Sequence, residues 1–196
     1  MEERLFEGFV LTGGRSSRMG RDKALLPVVG STAGGSTAGG RTLVEQIAAR
    51  VRAAAGFVTL IGAPERYGSL GLPVAADLIE ECGPIGGIYT ALKISSAPWN
   101  LIVACDMPAV STGFLAALLA AAREADPDCF VPETASSLHP LCAVYHRRAL
   151  ATVQSAIDHK SFKMHDLLRS FRTVAWPVAD PSLLENVNTP IEWSAR

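Results

Sequence analysis

A long hydrophobic run, paired cysteines and an excess of charge are all missing from this chain, and each absence narrows what it can do. The apolar stretch Leu115 to Ala122 is far short of the roughly 18 residues that suggest a membrane span. Met1-Glu2-Glu3-Arg4 is no signal-peptide n-region, so neither export nor anchoring is expected and the chain reads as cytoplasmic. Cys82, Cys105, Cys129 and Cys142 are scattered without a Cys-x-x-Cys pair. Neither zinc nor a disulfide framework is indicated, and buried free thiols in a reducing compartment are expected. With 18 Lys and Arg against 19 Asp and Glu, the formal net charge is −1. No global pull toward nucleic acid or acidic membranes follows, so any basic patch must be local. His146, His159 and His165 show no metal-ligand spacing and are assigned no role.

What is present fits one domain over residues 1–196. A chain of this length, 48% hydrophobic, can bury roughly 70% of its unfolded surface. The stretch that organises it is Phe9-Val10-Leu11-Thr12-Gly13-Gly14-Arg15-Ser16-Ser17-Arg18-Met19-Gly20-Arg21-Asp22-Lys23-Ala24-Leu25-Leu26-Pro27. A short apolar strand delivers paired glycines, then a cationic turn, then a lysine. Adjacent glycines let successive backbone N–H groups converge on one point, a natural receptor for phosphate oxygens. Arg15, Arg18, Arg21 and Lys23 surround that point with positive charge, so a polyanion is the expected guest. The familiar phosphate loops fail: Arg21-Asp22 follow Gly20 where a Walker loop needs Lys-Ser/Thr, and the alternating Gly-x-Gly of a dinucleotide fold is absent.

The string Gly-Gly-x-Ser-x-Arg-Met-Gly-x-Asp-Lys-Ala-x-Leu, at Gly13 to Leu26, resembles the signature of nucleotidyltransferases that activate sugars and cofactors, most of all molybdenum cofactor guanylyltransferases. The resemblance continues through Gly83-Pro84-Ile85-Gly86-Gly87 and Cys105-Asp106-Met107-Pro108 to Asn186-Val187-Asn188-Thr189-Pro190.

Beyond Pro27, Gly30 to Gly40 is a tandem copy of Gly-Ser-Thr-Ala-Gly plus one glycine, a composition that cannot build a core and reads as a flexible loop. A tolerated duplication is favoured there over a lid on the phosphates. Thr42-Leu43-Val44-Glu45 fits a capping box, and Leu43, Ile47 and Val51 recur on one helical face until Gly56. Phe57 to Ile61, Pro73 to Ala76 and Leu101 to Cys105 read as buried strands, the last stopping at Asp106. Between the last two strands lies a helix carrying Ile88, Ala91 and Leu92, whose small neighbours imply close approach. Helices are expected over Phe114 to Glu124, Arg147 to Ile157 and Phe162 to Leu168, with strands at Cys129 to Val131, Leu141 to Tyr145 and Thr173 to Trp176. Thr189-Pro190-Ile191-Glu192 has the form of a capped helix start. Alternating strands and helices imply an α/β class with a mostly parallel sheet flanked on both faces. The resemblance implies a single three-layer domain with the Rossmann-like nucleotidyltransferase fold.

Ligands of such sheets bind beyond the carboxyl ends of the strands, where the glycine loop, Asp77 and Asp106 all fall. The resemblance implies nucleotide binding by Leu11, Thr12, Gly13, Gly14, Lys23, Asp77 and Asp106, with Arg18, Lys23 and Asp106 serving catalysis. Asp106 is the candidate Mg2+ ligand, since magnesium takes only one or two carboxylates beside substrate phosphates. Asp77 is the candidate base reader: guanine offers N1–H and N2–H2 donors on one edge, which a carboxylate can accept together. One family contact does not transfer, because Leu60-Ile61-Gly62 supplies no asparagine at the end of the second strand. For the acceptor, His139, Asn186 and Asn188 resemble residues facing the pterin side of the cleft.

The expected reaction joins GMP from GTP to molybdopterin and releases pyrophosphate. It leaves room for transient contacts with other cofactor-assembly proteins and has no place for nucleic acid or membrane. A cytidylyltransferase of molybdopterin or another phosphorylated acceptor, and a non-catalytic GTP-binding adaptor, are the rivals.

Overall fold

The apolar runs assemble into one seven-stranded sheet in a computed structural model that describes residues 4–12, 22–27 and 41–186. Its strands are β1 (Phe6–Leu11), β2 (Val58–Ile61), β3 (Val74–Ala75), β4 (Trp99–Ala104), β5 (Cys129–Glu133), β6 (Cys142–His146) and β7 (Thr173–Pro177), in the order β3-β2-β1-β4-β6-β5-β7. The pairs β1–β2, β1–β4, β2–β3 and β5–β7 are parallel, and only β6 runs against its neighbours β4 and β5. That reversal follows from the connection: residues 134–141 return the chain beside β5 without a crossover helix.

Six helices flank the sheet: α1 (Leu43–Ala55), α2 (Pro64–Tyr67), α3 (Pro84–Ile94), α4 (Thr112–Ala125), α5 (Leu150–Asp158) and α6 (Met164–Arg169), counted among the described residues. Alternate strand residues serve opposite faces, as the two-residue period of a strand requires. Val10, Leu60, Leu101, Val103 and Val144 pack with α1 and α4, while Phe9, Leu11, Ile61, Ile102 and Tyr145 pack with α3, α5 and α6. The three-layer, mostly parallel architecture expected from the sequence is the one found. Every residue of β4 is buried, including Asn100, whose Nδ2 donates to the carbonyls of Ala97 and Tyr145.

α1 begins at the anticipated capping box. The Thr42 N–H donates to Glu45 Oε2 at 2.8 Å, the Glu45 N–H donates to Thr42 Oγ1 at 3.4 Å, and Gly56 ends the helix at φ 80°. Elsewhere the element limits move. The helix expected from Arg147 opens as a 3-10 turn, Arg147–Ala149, because His146 Nδ1 accepts from the Arg148 N–H as the chain leaves β6. The helix expected from Phe162 begins at Met164. The short α2 and the 3-10 turn Gly68–Leu70 fill the β2–β3 connection, where the sequence carries no helical period. The capped start expected at Thr189 lies outside the described residues.

At the amino edge of the sheet, Arg148 donates to Asp126 Oδ1 at 2.9 Å and Asp128 Oδ1 at 2.7 Å, and the Arg172 N–H donates to Asp128 Oδ2 at 3.0 Å. These bonds tie the start of β5 to the end of β6 and the start of β7. Both carboxyls are held below the usual range, chiefly by their hydrogen bonds from Arg148.

Candidate active site

The register of the sheet brings the strand ends into one row. Leu11 stands opposite both Ile61 and Ala104, and Ile61 stands opposite Ala75. Thr12, Gly62, Ala76 and Cys105 therefore follow as the next row, with Asp77 and Asp106 one residue beyond. Since β3 and β4 are separated by β2 and β1, the two aspartates sit about three strand spacings apart, ~14 Å, with the end of β1 between them. β1 is also where the connections diverge: α1 leaves toward one face and α3 returns to β4 over the other. Open α/β sheets bind ligands at such a switch point.

The two ends of the glycine-rich segment are firmly set. Thr12 is buried, its N–H donates to the Ile61 carbonyl at 3.0 Å and its Oγ1 donates to the same oxygen at 2.8 Å. At the other end, Asp22 Oδ1 accepts from the Ala24 N–H at 3.1 Å and Asp22 Oδ2 accepts from the Tyr67 hydroxyl at 2.6 Å. The backbone of Lys23 lies in the following 3-10 turn, Lys23–Leu25, which packs against α1 through Ala24. Gly13, Gly14, Arg15, Arg18 and Arg21 lie outside the described residues, as does Asn188.

Asp77 follows β3 on an exposed segment pinned to α3, where the Leu78 N–H donates to Thr90 Oγ1 at 3.0 Å and Thr90 Oγ1 donates to the Gly86 carbonyl at 2.9 Å. The close approach expected of these small residues is real. A Cβ at Gly86 would meet the Ile79 carbonyl oxygen at 2.8 Å, and one at Gly87 would meet Leu11 Cδ2 at 3.0 Å. Although Asp77 is exposed, nearby protein atoms strip part of its carboxyl's solvent; this effect first, and the charge of Glu80 second, raise its pKa.

Asp106 is half-buried at the tip of β4. The Cys105 N–H donates to the Leu11 carbonyl at 3.1 Å, which locks this tip to that of β1. Met107 is buried in the core, and Arg50 Nη1 of α1 donates to the Pro108 carbonyl at 2.6 Å, so the turn carrying Asp106 is held from both sides. Among the described residues no group of three or more His, Cys, Asp and Glu could hold a metal by itself. A single, half-buried carboxylate is nevertheless an apt donor for a hard cation that arrives with its phosphates and keeps its waters.

His139 lies on the β5–β6 connection, next to the end of β4 because the Ala104 N–H donates to the Leu141 carbonyl at 2.7 Å. Its Nε2 is 3.0 Å from Thr134 Oγ1, its N–H donates to the Pro132 carbonyl, and burial lowers its pKa, so the ring is neutral at neutral pH. Asn186 is exposed, two residues beyond Leu184, which ends the 3-10 turn Pro181–Leu184 after β7 and is buried in the core with α1 and α4. The structure thus aligns Leu11, Thr12, Asp77 and Asp106 on one edge, adds His139 beside β4, and leaves Asn186 exposed after the turn that follows β7.

Tyr67 and Arg50 are positioned here without having been singled out by sequence. Tyr67 falls in a connection with no periodicity, and Arg50 on a helix where it reads as a solvated cation. A groove of about 540 Å3 along α1, lined by Arg41, Glu45, Arg52, Leu70 and Leu72 among others, contains none of the strand tips and is separate from this edge. Cys82, Cys129 and Cys142 are buried and Cys105 half-buried, none of them in a disulfide, and burial pushes the Cys142 thiol up to about 12, which makes that thiol unreactive. No helix of the described residues is long and apolar enough to cross a membrane.

Comparison with known proteins agrees with this arrangement. The model of the MobA-like NTP transferase domain matches residues 8–174. A protein of Flavobacterium johnsoniae named "Probable molybdenum cofactor guanylyltransferase" is 35% identical over 161 residues, covering 82% of this chain and 78% of its own. A molybdenum cofactor guanylyltransferase of Xanthomonas euvesicatoria pv. vesicatoria is 31% identical over 198 residues, covering 98% and 94%. The crystal structure of molybdopterin-guanine dinucleotide biosynthesis protein A from Archaeoglobus fulgidus superposes with a TM-score of 0.78 at 23% identity, covering 96% and 95%, and shares the fold. With a family model that matches residues 8–174 and relatives 31–35% identical over most of both chains, this chain belongs to the MobA-like NTP transferase family.

Proposed function

We propose that this chain, working as a single nucleotidyltransferase unit over residues 1–196, transfers GMP from GTP to molybdopterin in the cytoplasm, with Mg2+ as its cofactor. The observation that carries the reading is the register of β1 to β4, which sets Asp77 and Asp106 on opposite sides of the β1 tip at a separation suited to a nucleotide laid across the strands.

In this reading an oxygen of the molybdopterin phosphate attacks the α-phosphorus of GTP, one P–O bond forms, the bond to the β-phosphate oxygen breaks, and pyrophosphate leaves. No covalent intermediate on the protein is required. Because both reactants are anionic, catalysis consists of positioning and charge neutralisation. Leu11, Thr12, Gly13 and Gly14 offer backbone to the phosphates, while Arg18 and Lys23 supply positive charge. Asp77 accepts from guanine N1–H and N2–H2. Asp106 would hold the metal, which when bound offsets phosphate charge. His139, Asn186 and Asn188 face the acceptor, the neutral His139 ring acting as a hydrogen-bonding group rather than a cation.

A cytidylyltransferase is the second reading, and Gly62 is the observation behind it. The end of β2 offers no side chain to a base, so guanine selection falls on Asp77 and its surroundings. Incubation with α-labelled GTP or CTP, Mg2+ and molybdopterin separates the possibilities. Labelled dinucleotide and pyrophosphate from GTP are expected. The same products from CTP alone would assign the second reading, and saturable GTP binding without turnover would make the chain an adaptor.

A further inference from the structure

We propose that Tyr67 is a positioning residue that clasps the two ends of the glycine-rich loop and so fixes where Lys23 enters the phosphate site. The inference rests on the reading of residues 13–21 as the phosphate loop, and it adds a component that the signature itself does not contain.

The phenol of Tyr67 reaches both flanks of that segment. It donates to Asp22 Oδ2 at 2.6 Å, with the Thr12 carbonyl at 3.2 Å as the weaker arm of a forked hydrogen bond. Thr12 is the residue just before the loop and Asp22 the residue just after it, so one hydroxyl bridges the two flanks directly. Tyr67 itself cannot drift. It is 2% exposed and its ring packs against Gly62, where a Cβ would lie 3.1 Å from Cε2.

Asp22 passes the constraint on to Lys23. Its Oδ1 accepts from the Ala24 N–H and its carbonyl accepts from the Leu25 N–H, so the carboxylate that holds the phenol also shapes the turn beginning at Lys23. Arg66 stands 3.8 Å from Asp22 Oδ2, an exposed cation that adds little in water. The phenol stays protonated because burial, and then the bond to Asp22, raise its pKa. The four-residue α2 thus serves as a platform that brings a hydroxyl to the β1 end.

Tyr67→Phe preserves the ring and deletes the clasp. Loss of a hydrogen bond to a charged group predicts about tenfold weaker GTP binding. Binding of GMP, which lacks the β- and γ-phosphates, should stay within about twofold. In the ligand-free variant the Ala24 and Leu25 amides should exchange with solvent faster. Asp22→Asn tests the other half, and Tyr67→Phe combined with Asp22→Asn should be no weaker toward GTP than the worse single variant. Unchanged GTP affinity and exchange in Tyr67→Phe would overturn the clasp, as would equal losses for GTP and GMP, which would mean general loosening. Faster exchange in Tyr67→Phe alongside a wild-type protein that binds no GTP would uphold the clasp and remove the nucleotide reading instead.

Discussion

Replacing Gly62 by alanine should injure this protein more than a single methyl suggests, because the space is taken by a functional neighbour. A Cβ at this position would lie 2.0 Å from Thr12 Oγ1, 3.1 Å from Tyr67 Cε2 and 3.4 Å from Thr12 Cβ. The hydroxyl cannot give way freely, since it is buried and donates to the Ile61 carbonyl at 2.8 Å. Overpacking of about 1–3 kcal/mol and loss of a hydrogen bond of about 1 kcal/mol together give about 2–4 kcal/mol, roughly 4–16 °C in Tm for a chain of this size. Thr12→Ala alone should cost only about 1 kcal/mol, because the Ile61 carbonyl keeps the Thr12 N–H. In that background only the softer contacts to the ring edge and Cβ remain, so Gly62→Ala should then cost about 1 kcal/mol, a coupling of about 1–3 kcal/mol. Urea unfolding of the two single variants and the double variant gives the cycle directly. Costs that add within about 0.5 kcal/mol would refute the steric account. Because the displaced Thr12 leads into the proposed phosphate loop, Gly62→Ala should also raise KM for GTP.

Other outcomes follow from the same edge. Asp106→Asn keeps the shape of the turn and removes a charged oxygen donor, so kcat in Mg2+ should fall on the order of a hundredfold or more while Tm changes little; near-normal turnover would remove Asp106 from the metal site. Asp77 has a raised pKa in the folded chain, so the native state holds its proton more tightly and this group's contribution to stability declines as pH rises from the unfolded to the folded pKa. Only its carboxylate accepts both guanine donors, so GTP affinity should rise as pH climbs through that raised pKa, and Asp77→Asn should flatten this limb of a calorimetric pH series. Deleting Ser31 to Gly35 should leave turnover nearly unchanged, and a large loss would make the segment a working lid.

The parts legible in the sequence were those governed by local pattern. Phe9-Val10-Leu11 and Leu101-Ile102-Val103 carry no polar alternation because both faces are covered, and Thr42 with Glu45 announces a helix start through bonds that span one turn. That Asp77 and Asp106 lie on one edge was legible because each follows a strand ending, and in a parallel sheet those endings share an edge. The reversal of β6 was not legible, since an apolar run such as Cys142 to Tyr145 reads the same in either direction and the short return from β5 decides it. Nor was the partnership of Tyr67 with Thr12 and Asp22, which join residues 55 and 45 positions apart. Such contacts belong to the assembled sheet, where the β2–β3 connection is folded back over the β1 end. His139 shows a mixed case: its place beside β4 suits an acceptor site, yet its ring also staples its own turn through Thr134.

The most direct measurement of the central claim is a crystal structure of the protein soaked with GTP and manganese, with the metal located by its anomalous signal. Manganese at the Asp106 carboxylate, phosphates over the β1 tip and the guanine edge against Asp77 are the expected result. A nucleotide bound elsewhere, for instance in the groove along α1 between Arg41 and Arg52, would contradict it.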